Sequence, residues 1–389
     1  MANLLSMECR DRGDKLILDG LGDETESNAI GNCRFARVWP IHALETFSIP
    51  RVTTALIEIS FNQSLCKTVM RKTVQNRNVL LQTEYFGEKN GIPLLLIAGA
   101  MAPASSWPDF FCLSLSKQGF LVIRFDHRDF GESTHFEPCR PDSGLQCPYT
   151  MNDLVEDCVC ILDDYAIEKC HVAGHSMGGS IAQLLAVFEP ERILSAIAIS
   201  APLLAIGCPG LKEPSPEIQK RTWDIFLQNP MHADAVRGIP EFMKIWRYLN
   251  GSLPLDEKMA HAYTLKIYET QLIEPAWNHI AVQDGIPDLY PELIKSRIPL
   301  LFIQGEEDCL VQNAENIDTL ARYLGQVSCQ ILNKAGHVFF NKGVWLEIED
   351  HVKAHINANT LRTHAPDDQS TSLPSRRGIR EGNLGPSPV

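Results

Sequence analysis

The sequence predicts an α/β fold: a doubly wound, mostly parallel sheet that carries a helical insertion. Three observations carry that expectation. Short apolar runs alternate with amphipathic segments from Val79 onward, the signature of strands crossed over by helices. Near the middle, Gly174-His175-Ser176-Met177-Gly178 stands between one such run and one such segment. Between residues 203 and 290 the alternation stops and only helical patterns remain.

In chain order, strands are expected over 79–86 and 92–98, a helix near 105–118, and a strand over 120–126. A long loop, 134–149, carries Pro138, Pro141, Gly144 and Pro148 and is expected to edge a site, since structureless connections of that length are uncommon. A helix over 151–166, a strand over 170–175, a helix over 177–188 and a strand over 194–200 follow. The insertion reads as helices from Pro216 to Gln228, Ile239 to Leu249, Asp256 to Gln271 and Ala276 to Val282, punctuated by Pro209, Pro214, Pro230 and Pro254. Strands resume at Arg297 to Ile303 and Val327 to Leu332, and a last helix spans Val344 to Asn357. The expected organisation is an N-terminal extension over 1–72, with Val52 to Ile59 as a candidate strand, a core made of 73–202 and 291–358, a cap over 203–290, and a disordered tail over 359–389, rich in Ser, Pro, Gly and Arg.

The central pentapeptide has the Gly-x-Ser-x-Gly form of a nucleophile elbow, in the strand–turn–helix setting that such an elbow needs. The turn lifts the Ser176 hydroxyl clear of the sheet, and the flanking glycines remove Cβ atoms where strand and helix approach closely. A serine nucleophile requires a base, and the base requires an orienting acid. Gly305-Glu306-Glu307-Asp308 follows one expected strand, and Lys334-Ala335-Gly336-His337-Val338 follows the next. His337 is the expected base and Asp308 the preferred acid, with Glu306 and Glu307 as rivals on the same loop. The position after the preceding strand holds Ser200 and no carboxylate. Backbone N–H groups must hold the oxyanion: Met177 supplies one, and the small-residue loop Ala98-Gly99-Ala100-Met101 the other. Ala100 is the first choice there and Met101 the second.

These motifs resemble the α/β-hydrolase superfamily over about Val79 to His355. Ala98 to Met101 through Trp107-Pro108, the segment Asp126-His127-Arg128-Asp129-Phe130-Gly131-Glu132-Ser133, and the stretch from Trp246 through Gly251 and Pro254 to Asp256 are similar to the aclacinomycin methylesterase type. Many relatives have His-Gly where this chain has Ala98-Gly99. The resemblance implies the α/β-hydrolase fold, a helical cap inserted after the sixth core strand, and cofactor-free hydrolysis of a carboxylic ester through an acyl-enzyme. A methyl ester of an aromatic or polyketide-like metabolite is the narrower expectation. Thioester, lactone or carbon–carbon hydrolysis, acyl transfer, peroxidase-like chemistry and a non-catalytic small-ligand receptor are the alternatives. An epoxide hydrolase or haloalkane dehalogenase is disfavoured, because Ser176 stands where those carry a carboxylate.

Phe226, Phe242, Met243, Trp246, Tyr263, Tyr268 and Trp277 give the insertion large apolar groups. With Met101, Trp246 and Tyr263 are the candidate substrate-binding residues of a chamber for a small hydrophobic ester. The net charge of −13 argues against a nucleic-acid partner, which demands a basic face. No apolar run reaches the ~20 residues of a membrane span, and no metal, nicotinamide or flavin signature is present. His351 and His355 have i, i+4 spacing without a third ligand nearby in sequence, which favours a solvated helix face over a metal site. The twelve cysteines are scattered rather than framed, and with no secretory leader legible the expected location is cytoplasmic with reduced thiols. Cys139 and Cys147 flank the Pro/Gly-rich loop and could pair under oxidation, though reduced thiols are the expectation there too. Oligomeric state is not legible.

Overall fold

The computed structural model describes residues 69–140, 143–229, 232–270, 276–283 and 286–363. The candidate strand Val52 to Ile59 and the tail beyond 363 lie outside them. Among the described residues, eight strands form one sheet: β1 (Met70–Asn76), β2 (Val79–Phe86), β3 (Ile92–Ile97), β4 (Phe120–Phe125), β5 (Cys170–His175), β6 (Ile193–Ile199), β7 (Leu300–Gly305) and β8 (Val327–Leu332). Their order is β1-β2-β4-β3-β5-β6-β7-β8. β2 runs antiparallel to both of its neighbours, and every other pairing is parallel.

The helices are α1 (Asp109–Ser116), α2 (Met151–Asp164), α3 (Met177–Phe188), α4 (Pro216–Gln228), α5 (Ala235–Leu249), α6 (Glu257–Thr270), α7 (Ala276–Ala281), α8 (Tyr290–Leu293), α9 (Asn316–Tyr323) and α10 (Lys342–Thr363). Successive side chains of a strand point to opposite faces, and the central strands are apolar on both. Leu95 and Ile97 of β3, Ile123 of β4, Ala198 of β6 and Phe302 of β7 join Leu154, Ile161, Ile181, Leu185 and Ile317 of α2, α3 and α9 in one core. Leu94 and Leu96, Val122, Ile197 and Ile303 join Phe111, Leu115, Trp345, Ile348 and Val352 of α1 and α10 in the other. Burial on both faces is why these strands read as continuous apolar runs.

Register decides where the loops meet. Ile97 pairs with Gly174, His175 with Ile199, Ile199 with Ile303, and Gly305 with Leu332. The carboxyl ends of β3, β5, β6, β7 and β8 therefore stand side by side. That edge is where an open α/β sheet presents its ligand site.

Several elements depart from the sequence reading. β1 begins at Met70, N-terminal of the boundary expected at residue 73. Only Val74 and Asn76 of β1 are buried, too few for a periodic signal, and Asn76 is fixed by its Nδ2–H to Asp157 Oδ1 (2.7 Å). The helix expected over 105–118 is split. A 3₁₀ turn at Ala104–Ser106 ends at an extended Trp107, because Pro108 disfavours helical geometry in the residue before it. α5 starts at Ala235 rather than Ile239, capped by the Asp234 side chain, and carries Pro240 inside it. α8 and α9 are short helices without an expected counterpart. α10 continues to Thr363, past the boundary expected at 358. Asn359 is buried there, and Thr360 Oγ1 lies 3.1 Å from His171 Nε2.

The Asp126-to-Ser133 segment has a structural use. Arg128 donates from Nε to Asp157 Oδ2 (2.6 Å) and from Nη2 to Asp157 Oδ1 (2.9 Å), pinning the loop after β4 to α2. Both side chains are buried. Removing one partner of such a pair strands a charge in the interior. Arg128→Leu is expected to lower the unfolding free energy by roughly 3–5 kcal/mol. The double change with Asp157→Leu is expected to cost less than Arg128→Leu alone. Urea unfolding of the three proteins checks the order.

Candidate functional site

The turn between β5 and α3 places Ser176 at φ 52°, ψ −118°, a left-handed conformation that a serine adopts only under constraint. The constraint is closeness. A Cβ on Gly174 would run into the carbonyl of Gly178, and one on Gly178 into the carbonyls of Ile97 and Ala98. β5, α3 and the end of β3 thus touch through bare backbone. A Cβ on Gly99 would stand 3.3 Å from Ser176 Cβ, so the Ala98–Met101 loop lies against the serine.

Ser176 Oγ is 3.1 Å from His337 Nε2, and His337 Nδ1 is 3.0 Å from Asp308 Oδ2. With Nδ1 donating to the carboxylate, Nε2 is left as the acceptor for the serine hydroxyl. Asp308 is fixed on every side. Its Oδ1 accepts from the N–H groups of Leu310 and Val311 (both 2.9 Å), and its Oδ2 also accepts from Gln304 Nε2 (2.9 Å). Burial alone would raise the Asp308 pKa. The charge of His337 and the hydrogen bonds from His337, Val311 and Leu310 outweigh it and hold the carboxyl below its ordinary value. The two rivals point elsewhere: Glu306 accepts from the Lys334 N–H (2.9 Å) and Glu307 from the N–H and hydroxyl of Ser252.

The loop that carries His337 is braced by the insertion. The carbonyl of Leu249, the last residue of α5, accepts from the N–H of His337 (2.7 Å) and of Val338 (3.2 Å), and the Asn250 carbonyl accepts from Gly336 N–H (3.1 Å). On the other side His175 Nε2–H donates to the His337 carbonyl (2.8 Å).

Of the expected oxyanion donors, Met101 N–H is already engaged, donating to His279 Nδ1 at 3.2 Å. Among the described residues, neither the N–H of Ala100 nor that of Met177 has a hydrogen-bond acceptor. Met177 is fully buried, where an unpaired N–H is uncommon. Trp246 and Tyr263 sit in a cluster of the insertion with Met243, Ala260 and Phe340, and Val338 packs on it. Trp246 donates from Nε1 to Thr264 Oγ1 (2.8 Å). They reach the loop after His337, and among the described residues no hydrogen bond joins them to Ser176. The sequence reading missed His279, which has no local pattern to mark it.

A model of the α/β-hydrolase fold matches residues 92–231. Rhodomycin D methylesterase DauP of Streptomyces sp. (strain C5) is 33% identical over 248 residues, 60% of this chain and 80% of that enzyme. The chain is an α/β-hydrolase. Rhodomycin D methylesterase DnrP of Streptomyces peucetius is 36% identical to this hydrolase over 198 residues, 48% of the chain and 64% of that enzyme's length. Among solved structures, 2-hydroxy-6-oxo-6-phenylhexa-2,4-dienoate hydrolase from Rhodococcus sp. strain RHA1 has the same fold. It covers 75% of this chain with 99% of its own, at 18% identity and a TM-score of 0.57. Among the described residues, no helix of this α/β-hydrolase is long and apolar enough to cross a membrane.

The buried histidines set an acid limit on stability. Burial pushes His171 down to about 4 and His279 down to about 3. Unfolded, both would take up a proton near the ordinary value of ~6.5. Between that value and the lowered ones the unfolded chain binds more protons, so stability falls as pH falls. The depressed Asp308 acts in the same direction at still lower pH. The urea midpoint is expected to drop between pH 7.5 and pH 5, and to drop less in His171→Gln. Equal midpoints at both pH values would contradict this account.

Proposed function

We propose that this α/β-hydrolase is a serine hydrolase cleaving a carboxylic ester through an acyl-enzyme. The Ser176 hydroxyl attacks the ester carbonyl while His337 Nε2 takes its proton. Asp308 holds the imidazole in the accepting tautomer and stabilises it once it is charged. The N–H groups of Met177 and Ala100 receive the oxyanion. His337 then protonates the leaving alcohol, and water, activated by the same nitrogen, releases the acid. The observation that carries this reading is the continuous chain from Ser176 Oγ through His337 to Asp308, at 3.1 and 3.0 Å.

The narrower part of the proposal is the substrate: a methyl ester of an aromatic or polyketide-like metabolite. The methylesterase relatives support it, as does the apolar character of Met101, Trp246, Tyr263 and Phe340. In this reading the helices within 203–290 form a cap over the site, with Trp246 and Tyr263 as its apolar wall, and the core comprises 73–202 and 291–358, lengthened to Met70 and Thr363. The location is cytoplasmic, in keeping with thiols scattered through the core.

A fluorophosphonate is expected to add once, at Ser176, and Ser176→Ala is expected to lose both labelling and hydrolysis. Intact mass and peptide mapping read the adduct; labelling of the alanine variant at an unchanged rate would overturn the mechanism. Asp308→Asn is expected to leave the fold intact and to lower kcat by about 10⁴-fold, because the imidazole loses its oriented tautomer. Steady-state hydrolysis of nitrophenyl esters checks this, and a near-silent Asp308→Asn beside a crippled Glu307→Gln would move the acid to Glu307. Methyl esters of aromatic acids are expected to be cleaved faster than straight-chain ones, a ranking that a substrate panel reads directly.

A further inference from the structure

The Ala98–Met101 loop is held from both ends by two buried histidines that take no part in the proposed proton transfer. At its start, His127 Nε2–H donates to the Ala98 carbonyl (3.0 Å). At its end, the Met101 N–H donates to His279 Nδ1 (3.2 Å). The tautomer of His279 is fixed from behind, because its Nε2–H donates to the Arg128 carbonyl (2.8 Å). Nδ1 is therefore a bare acceptor aimed at the loop. Both rings are fully buried and meet edge to face at 5.7 Å.

Two further observations say what this contact is for. Met101 has φ 59°, a conformation costing a non-glycine residue on the order of 1–3 kcal/mol and persisting only where its surroundings impose it. The hydrogen bond to His279 engages this backbone unit directly. It also occupies the Met101 N–H and so removes it as a donor, whereas the N–H of Ala100 has no acceptor among the described residues. We infer that His279 is a positioning residue: by accepting the Met101 N–H it locks the left-handed turn that aims the Ala100 N–H at the oxyanion of the acyl-transfer step. The inference rests on the serine-hydrolase reading above and adds to it a residue from α7, 178 positions from the loop it holds.

The electrical state of the pair suits the task. Burial, with the neighbouring His127 next, pushes His279 down to about 3, and burial lowers His127 as well. A second proton on His279 would set an N–H against the N–H of Met101, and burial disfavours it. Asn278, the preceding residue, holds α7 in place. It donates to Asp129 Oδ2 (2.9 Å) and accepts from the Cys139 N–H (2.8 Å).

The test uses the full chain and the rate at which a fluorophosphonate labels Ser176, since phosphonylation builds negative charge on the same donors and needs no knowledge of the substrate. His279→Phe fills the space and removes the acceptor; His279→Asn keeps an oxygen near the Nδ1 position; His279→Gln keeps a donor near Nε2 and leaves Met101 unheld. His279→Phe is expected to label at least about 10-fold more slowly than the parent, with unchanged circular dichroism. On a nitrophenyl ester the loss is expected in kcat rather than in KM. His279→Asn is expected to recover most of the rate and His279→Gln little of it. A parent chain that does not label sinks the serine reading itself. A parent that labels while His279→Phe, folded, labels within threefold of it overturns the positioning role alone. If His279→Phe does not fold, the comparison of Asn with Gln decides: an Asn variant no faster than the Gln variant overturns it.

Discussion

Everything at the site depends on how closely three stretches of backbone approach at the end of β5. Gly174 and Gly178 face each other, and Gly178 also abuts the carbonyls of Ile97 and Ala98, at separations that leave no room for a single Cβ. That contact sets the entry angle of α3 and forces Ser176 into a positive φ. It also seats the Ala98–Met101 loop beside the serine. One steric requirement thus fixes both a hydroxyl and the first turn of a helix whose N–H groups point the same way, which is where negative charge is best received.

Around that fixed point the remaining groups are held by hydrogen bonds rather than by bulk. Asp308 spends its lone pairs on Leu310, Val311, Gln304 and His337. A carboxylate so saturated remains ionised despite its burial. His337 is located through its own backbone, by Leu249 on one side and His175 on the other. Precision of this kind is what a reaction between closely juxtaposed groups requires.

Much of this was legible in the sequence, for identifiable reasons. β3 to β7 are apolar on both faces, so Leu94 to Ile97 or Leu300 to Ile303 cannot be mistaken for surface strands. Ser176 and Asp308 follow strands of this kind, β5 and β7, while His337 follows the more exposed edge strand β8, and parallel register then brings those positions together. What was hidden lacked a local pattern. β1 buries only Val74 and Asn76. The start of α5 was masked by Pro240, a residue ordinarily found in a first turn. Met101 was an open candidate for a donor, and only the arrival of His279 from far along the chain removes it. The choice among Glu306, Glu307 and Asp308 was open for the same reason: a loop sequence does not say which carboxylate turns inward.

The brace on His337 has a consequence for how such a protein can change. At the end of α5 the loop is held by the carbonyls of Leu249 and of Asn250, the residue that follows the helix, and a further backbone bridge joins Gly251 to Ala335. Main-chain carbonyls are common to every residue type. Selection can therefore rewrite the side chains of α5 without disturbing these contacts, but not Gly251, where a Cβ would stand 2.5 Å from the Lys334 carbonyl oxygen, nor freely Asn250, whose Oδ1 accepts from the Phe340 N–H. What it cannot easily vary is the length of the segment that delivers those carbonyls, so divergence here is expected as exchanges of residue identity rather than as insertions or deletions.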